Sequence, residues 1–188
     1  MTRLALFALA ALAGGLAAAR AAPILVGFAA LPAETFNPGP TSGRFHDGAN
    51  GVATPFANRQ PVQGISAVLR NPAGGYLAVS DNGFGAAANS ADALLAVHEL
   101  DIRFRTPAGG PGTVARGRSH TLSDPDRVAP FPIVAERAFY PNGDGSARVD
   151  PAIAAGRLLT GADFDIESAQ RDAGGESRSH VAVDAWRG

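Results

Sequence analysis

The chain has 188 residues, 46% of them hydrophobic and 18% charged, with a formal net charge of −1. That is enough for one ordinary domain with a core, and the near-neutral balance gives no general attraction to nucleic acid or to an anionic membrane surface. Cysteine is absent, which excludes disulfides and thiolate metal sites; lysine is absent too, which excludes a phosphate-cradling glycine loop closed by lysine.

Met1–Arg3 gives a short positive start, residues 4–16 form an apolar run, and Ala19-Arg20-Ala21 is a small-residue cleavage pattern. Residues 1–21 read as a secretory signal peptide, with an uncleaved anchor as the rival reading. The run is short for a membrane span of about 20 residues. The mature chain is expected to be soluble, without stable membrane insertion, and periplasmic or secreted; an exported chain without cysteine suits a periplasm.

Residues 23–30 read as a first strand and residues 31–63, rich in Pro, Gly, Asn and Thr, as a long surface excursion. Ile65–Leu69 and Tyr76–Ser80 predict a hairpin turning at Asn71–Gly75, whose glycines supply positive φ. The return strand runs into Asp81-Asn82-Gly83-Phe84-Gly85. An acid and an amide at a strand's end, backed by glycines, make either oxygen ligands or a tight Asx turn.

Residues 86–93 are expected to form a loop with polar anchors. Leu94–Phe104 predicts a strand with Leu100, Ile102 and Phe104 on one side and Glu99, Asp101 and Arg103 on the other. Residues 106–118 read as an open connection, Ser123–Asp126 and Pro141–Gly145 as turns, and Asp150–Ala155 as one helical turn. With 23 glycines, 14 prolines, short strands and no long amphipathic helix, the chain is all-β, a propeller or a sandwich. No internal repeat decides between them.

Residues 158–168 alternate apolar with acidic. In an extended strand Ala162, Phe164 and Ile166 share one face and Asp163, Asp165 and Glu167 the other. Three carboxylates on one face are either solvated or balanced by a cation, with Asp81 and Asn82 as further oxygen ligands. Elsewhere the chemistry is thin. Ser66 falls short of a nucleophile elbow, because Ala67 stands where a glycine is needed. His46, His98, His120 and His180 show no metal-ligand spacing and read as surface or loop residues.

The ordered strings Leu31–Phe36 with Gly39–Gly43, Pro61–Val68, Ser80–Gly85 with Asn89–Ala93, Asp124–Asp126, Phe131–Val134 and Arg157–Ser168 resemble the phytase-like family called "esterase-like activity of phytase", over roughly residues 31–170. The resemblance implies a β-propeller and metal-assisted hydrolysis of a phosphate or other small-molecule ester. It also implies calcium held by carboxylates, with Asp163, Asp165 and Glu167 at a channel mouth and Asp81 and Asn82 nearby. Hard cations prefer such oxygens.

After Gln170 the chain departs from the family pattern, so residues 171–188 read as a divergent, poorly ordered tail after a phytase-like domain over 22–170. Propeller blades need about 40–50 residues each and rings at least four blades, so the chain supplies about three to four blades and reads as a truncated member. The competing functions are a non-catalytic calcium- or ligand-binding β module and an inactive truncated product.

Overall fold

A computed structural model describes residues 24–46, 53–137, 150–171 and 179–184. The expected signal peptide, the turn expected over Pro141–Gly145 and much of the expected tail lie outside them. The all-β expectation holds: among the described residues eight strands, β1 (Phe36–Pro38), β2 (Arg59–Pro61), β3 (Ile65–Arg70), β4 (Tyr76–Ser80), β5 (Ala96–Arg103), β6 (Thr113–Thr121), β7 (Asp165–Arg171) and β8 (Ser179–Asp184), accompany one short α-helix, α1 (Pro151–Gly156), and two single 3-10 turns.

β3, β4, β5 and β6 form an antiparallel meander in that order. The predicted hairpin sits in it with Val68 opposite Ala78 and Arg70 opposite Tyr76. β1 pairs with β2, and β7 with β8, also antiparallel. β7 lies against β3 and β4. Among the described residues these three sheets do not close on one another.

The faces of the meander follow from strand alternation. Ala67, Val79 and Val97 form one cross-strand row. That row packs with Leu95, Ile166, Leu159, Phe164 and Ala169 into one apolar cluster. Burying Leu95 and Ile166 stabilises the chain by roughly 1.5–3 kcal/mol each. A second cluster joins Ala91, Val134, Ile153 and Ala162. Ile153 reaches it from α1, whose N-terminus is capped by Asp150 accepting from Ala152 N. The opposite face of the meander carries Ala78, His98 and Ser119 in one row, towards β1.

Several sequence expectations need correction. Residues 24–30 form no strand; only Phe28 and Ala30 make isolated bridges, to Arg105 and Thr113. The excursion over 31–63 contains β1, β2 and a Ser42–Phe56 bridge, because its prolines sit at strand ends, where no ladder hydrogen bond is lost. The open connection over 106–118 is a tight turn at Thr106–Gly109 followed by β6. β6 escaped notice because it is an edge strand, mostly exposed and rich in Arg, without an apolar face to alternate. Within the expected tail, Ser179–Asp184 form β8, with Arg171 opposite Ser179; this does not bear on where the domain ends.

Candidate functional site

One rim of the molecule gathers the residues before β3, after β4 and at the start of β7. Asp81 follows β4. Its N–H donates to Gly64 O at 2.6 Å. Its Oδ1 accepts from the backbone N–H groups of Asn82 and Gly83, forming the Asx turn, and Ser66 Oγ lies 3.4 Å from Oδ2. Gly64 makes room for this carboxylate: it holds φ +59°, and a Cβ there would stand 2.1 Å from Asp81 Oδ1.

Asn82 reaches across to the other half of the rim. Its Nδ2 donates to Asp165 Oδ1 at 2.9 Å, while its Oδ1 accepts from Gly85 N at 3.0 Å. The turn before β7 can approach because residue 161 is glycine; a Cβ there would lie 1.9 Å from Asn82 O. Asp81, Asn82 and Asp165 are partly exposed. Glu167 is exposed and falls at a β-bulge, where the register shifts between Ile166 and Ser168. With Ile166 buried and Ala169 against the same cluster, the bulge takes up the odd residue and leaves Asp165 and Glu167 away from the core.

Asp163 does not belong to this row. The chain over 161–163 is a turn, and the strand begins only at Asp165, so period two does not extend back to Asp163. Its side chain is buried. Oδ1 accepts from Val134 N at 2.6 Å, and Oδ2 accepts from Thr160 N and Thr160 Oγ1, both at 2.9 Å. Burial pushes this carboxyl above the ordinary Asp range, against those hydrogen bonds and the charge of Arg137. Asp163 ties the second apolar cluster to the start of β7. The expected face of three converging carboxylates is not formed. Among the described residues no three His, Asp or Glu side chains are placed around one ion.

Two buried polar groups stand behind the rim, Asp92 from the loop expected to carry polar anchors and His98, which the sequence reading missed. Asp92 is buried and accepts from Gly43 N at 3.0 Å and Arg44 N at 2.8 Å, pinning the loop after β1. Burial pushes its carboxyl up. His98 corrects the expectation of a surface histidine: on β5 it is 2% exposed. Its Nδ1 lies 2.8 Å from Ser119 Oγ, which donates to Asn37 Oδ1 at 3.0 Å. Burial, with the charge of Arg116, lowers its pKa to about 4, so it is neutral at pH 7. Period two along β5 puts His98 on the same side as Leu100, which is buried too. His120, by contrast, is exposed, 3.7 Å from Glu99.

The loop before the rim is braced by charge. Arg157 Nη1 donates to Glu136 Oε1 at 2.7 Å and its Nη2 lies 3.3 Å from Asp124 Oδ2. Hydrogen bonding from Arg157 holds the Glu136 carboxyl below its ordinary range.

The chain is thus an all-β protein of antiparallel sheets, with Asp81, Asn82 and Asp165 along one rim. The model of the phytase-like family, esterase-like activity of phytase, matches residues 60–178, and the chain belongs to that family. The match starts in β2 and covers the whole rim; it leaves out the Leu31–Gly43 string and runs past Gln170, where the sequence pattern departs. Neither a curated protein nor a solved structure matches the chain.

Proposed function

We propose that the chain is an exported phytase-like hydrolase, acting on a phosphate or other small-molecule ester with a divalent cation, calcium, at the Asp81–Asn82–Asp165 rim. The observation that carries this reading is the Asn82–Asp165 hydrogen bond within the family-matched segment. It brings the acidic ends of β4 and β7 together although they are distant in sequence. In fold, the reading is a propeller: a four-stranded antiparallel meander is one blade, and β7–β8, with β7 against β3, is the inner hairpin of the next.

The donor set suits an open site. Asp81 Oδ2 and Asp165 would supply carboxylate oxygens, fewer than the six to eight that calcium takes, so water and substrate would complete the shell. A cation held there polarises an ester or phosphoryl oxygen and lowers the pKa of bound water. Asn82 orients Asp165 and the Asx turn fixes Asp81, with the exposed Glu167 at the bulge as a further candidate ligand. Asp163, with both oxygens engaged by Val134 and Thr160, is scaffold in this reading. Export rests on residues 1–21; among the described residues no helix is long and apolar enough to cross a membrane.

The test is turnover of an aryl phosphate and an aryl ester by purified protein, with calcium and with excess chelator, for wild type, Asp81→Asn and Asp165→Asn. Calcium-dependent turnover lost in both variants supports the proposal. Turnover that survives chelation overturns the metal role. Calcium binding without turnover of either substrate supports the binding-module reading. N-terminal sequencing of protein from the producing cell tests export and should begin near Ala22.

A further inference from the structure

Away from that rim, residues 24–28 put apolar side chains into solvent. Ile24, Leu25, Val26 and Phe28 are 54–84% exposed, and Phe104 is 45% exposed. Phe104 lies beside them, since a Cβ on Gly27 would stand 3.5 Å from Phe104 Cβ. These five side chains leave roughly 600 Å² of apolar surface open, the top of the range for the largest patch on an ordinary monomer.

The backbone of this stretch is open as well. Phe28 N donates to Arg105 O at 3.0 Å, and Phe28 O accepts from Arg105 N at 2.8 Å. Ala30 likewise spends its N–H on Gly112 O and its C=O on Val114 N. Successive residues of an extended chain present these groups to opposite edges, so Leu25 and Gly27 present theirs outward. Among the described residues no hydrogen-bond partner meets that outer edge. An open edge is a template for another chain, and proteins blunt it with charge or proline. β6, the edge of the meander, is guarded in this way by Arg116, Arg118 and His120. Residues 24–28 carry no charge, and Pro23, without an N–H, marks where pairing must stop.

We propose that this edge pairs with the same edge of a second copy of the chain, antiparallel about a two-fold axis at Val26. Leu25 of each copy then exchanges both backbone hydrogen bonds with Gly27 of the other. Ile24 falls opposite Phe28, a β-branched side chain against an aromatic one, and Val26 meets Val26 on the axis. A lipid surface would cover the side chains but leave the N–H and C=O groups without partners. A second copy satisfies both, and two patches bring about 1,200 Å², above the ~1,000 Å² that a specific interface needs. None of these residues belongs to the Asp81–Asn82–Asp165 rim, so the dimer stands or falls independently of the hydrolase reading.

The experiment follows purified protein by sedimentation velocity across a dilution series, beside Leu25→Pro and Val26→Asp. Both sites are exposed, so the urea midpoints of the variants should match that of wild type. Wild type should sediment as a dimer that dissociates on dilution through the micromolar range. Leu25→Pro removes one donor per copy, and Val26→Asp sets two carboxylates face to face on the axis. Each should weaken dimerisation at least tenfold. An equal mixture of Val26→Asp and Val26→Lys should dimerise again, which a loss of folding would not allow. A wild type that stays monomeric at the top of the series, a dimer that Val26→Asp leaves unweakened, or a mixture of the charged variants that stays monomeric would each overturn the proposal. Monomeric wild type that floats with phosphatidylglycerol vesicles would likewise overturn it and give the patch to a lipid surface.

Discussion

Asn82 donates its side-chain amide to Asp165 at 2.9 Å across 83 residues of sequence. This bond joins the loop leaving β4 to the first residue of β7, and so links the meander to the next hairpin. Replacing Asn82 by Ala removes that donor and the acceptor of Gly85 N, and should cost about 1–2 kcal/mol with or without calcium. Asn82→Asp keeps the acceptor but sets two carboxylates together. In chelator it should be less stable than wild type by about 2 kcal/mol. Calcium should restore it if the cation sits at this rim. Urea unfolding in chelator and in calcium measures both, and a penalty indifferent to calcium removes Asp165 from the cation site.

Gly161→Ala tests the approach of the two loops. The added Cβ would meet Asn82 O at 1.9 Å and Ser90 Cβ at 2.8 Å. The first of these is backbone and cannot swing aside. The substitution should destabilise the chain by about 3 kcal/mol, the upper part of the range for overpacking. The check is the urea midpoint at unchanged slope. A midpoint equal to wild type would show that the turn over 161–163 stands farther from Asn82.

Much of this was legible in the sequence, for reasons tied to particular residues. The β3–β4 hairpin alternates cleanly and turns on Gly74 and Gly75, which hold φ of +107° and +73°. Asp81 and Asn82 stood out because an acid and an amide ended a strand before glycines. Asp165 and Glu167 stood out by alternation, and both remain outside the core. Asp163 misled because strict alternation also fits a turn. Only the long-range partner Val134 N shows that its carboxylate faces inward. β6 was hidden by its exposure, and His98 by the absence of any second histidine near it. Its partners Asn37 and Ser119 are 61 and 21 positions away, a relationship that pairing of strands creates and local spacing cannot.

Asp163→Asn separates scaffold from ligand. Both carboxylate oxygens accept from N–H or O–H donors, so the amide must turn an NH2 towards one of them. Leaving a buried donor facing a donor costs roughly 2–3 kcal/mol, more than relief of the burial cost returns. The expected result is a clear loss of stability with calcium affinity unchanged, whereas Asp165→Asn should weaken calcium binding and leave stability nearly intact. Calcium titration beside urea unfolding distinguishes them. Weakened calcium binding in folded Asp163→Asn would return Asp163 to the cation site.

His98 sets a pH dependence whose sign follows from its burial. Its folded pKa, about 4, lies below the ordinary 6.5, so between these values the unfolded chain binds the proton more readily. Its contribution to stability is complete above pH 6.5 and is lost as pH falls towards 4. The size is about 3 kcal/mol, from roughly 1.4 kcal/mol per pH unit of difference. Asp92 and Asp163 act the other way: burial raises their pKa, so their contribution is present at low pH and fades as pH rises through the raised values. Wild type alone therefore mixes the two trends. Subtracting the stability of His98→Gln, in which this group no longer titrates, isolates the first. Urea unfolding of both proteins from pH 4 to pH 7.5 should show the difference widening by about 3 kcal/mol in favour of wild type as pH rises. A difference independent of pH would mean that His98 takes up its proton as readily in the folded chain as in the unfolded one, and that the ring is not sealed between β1 and the meander.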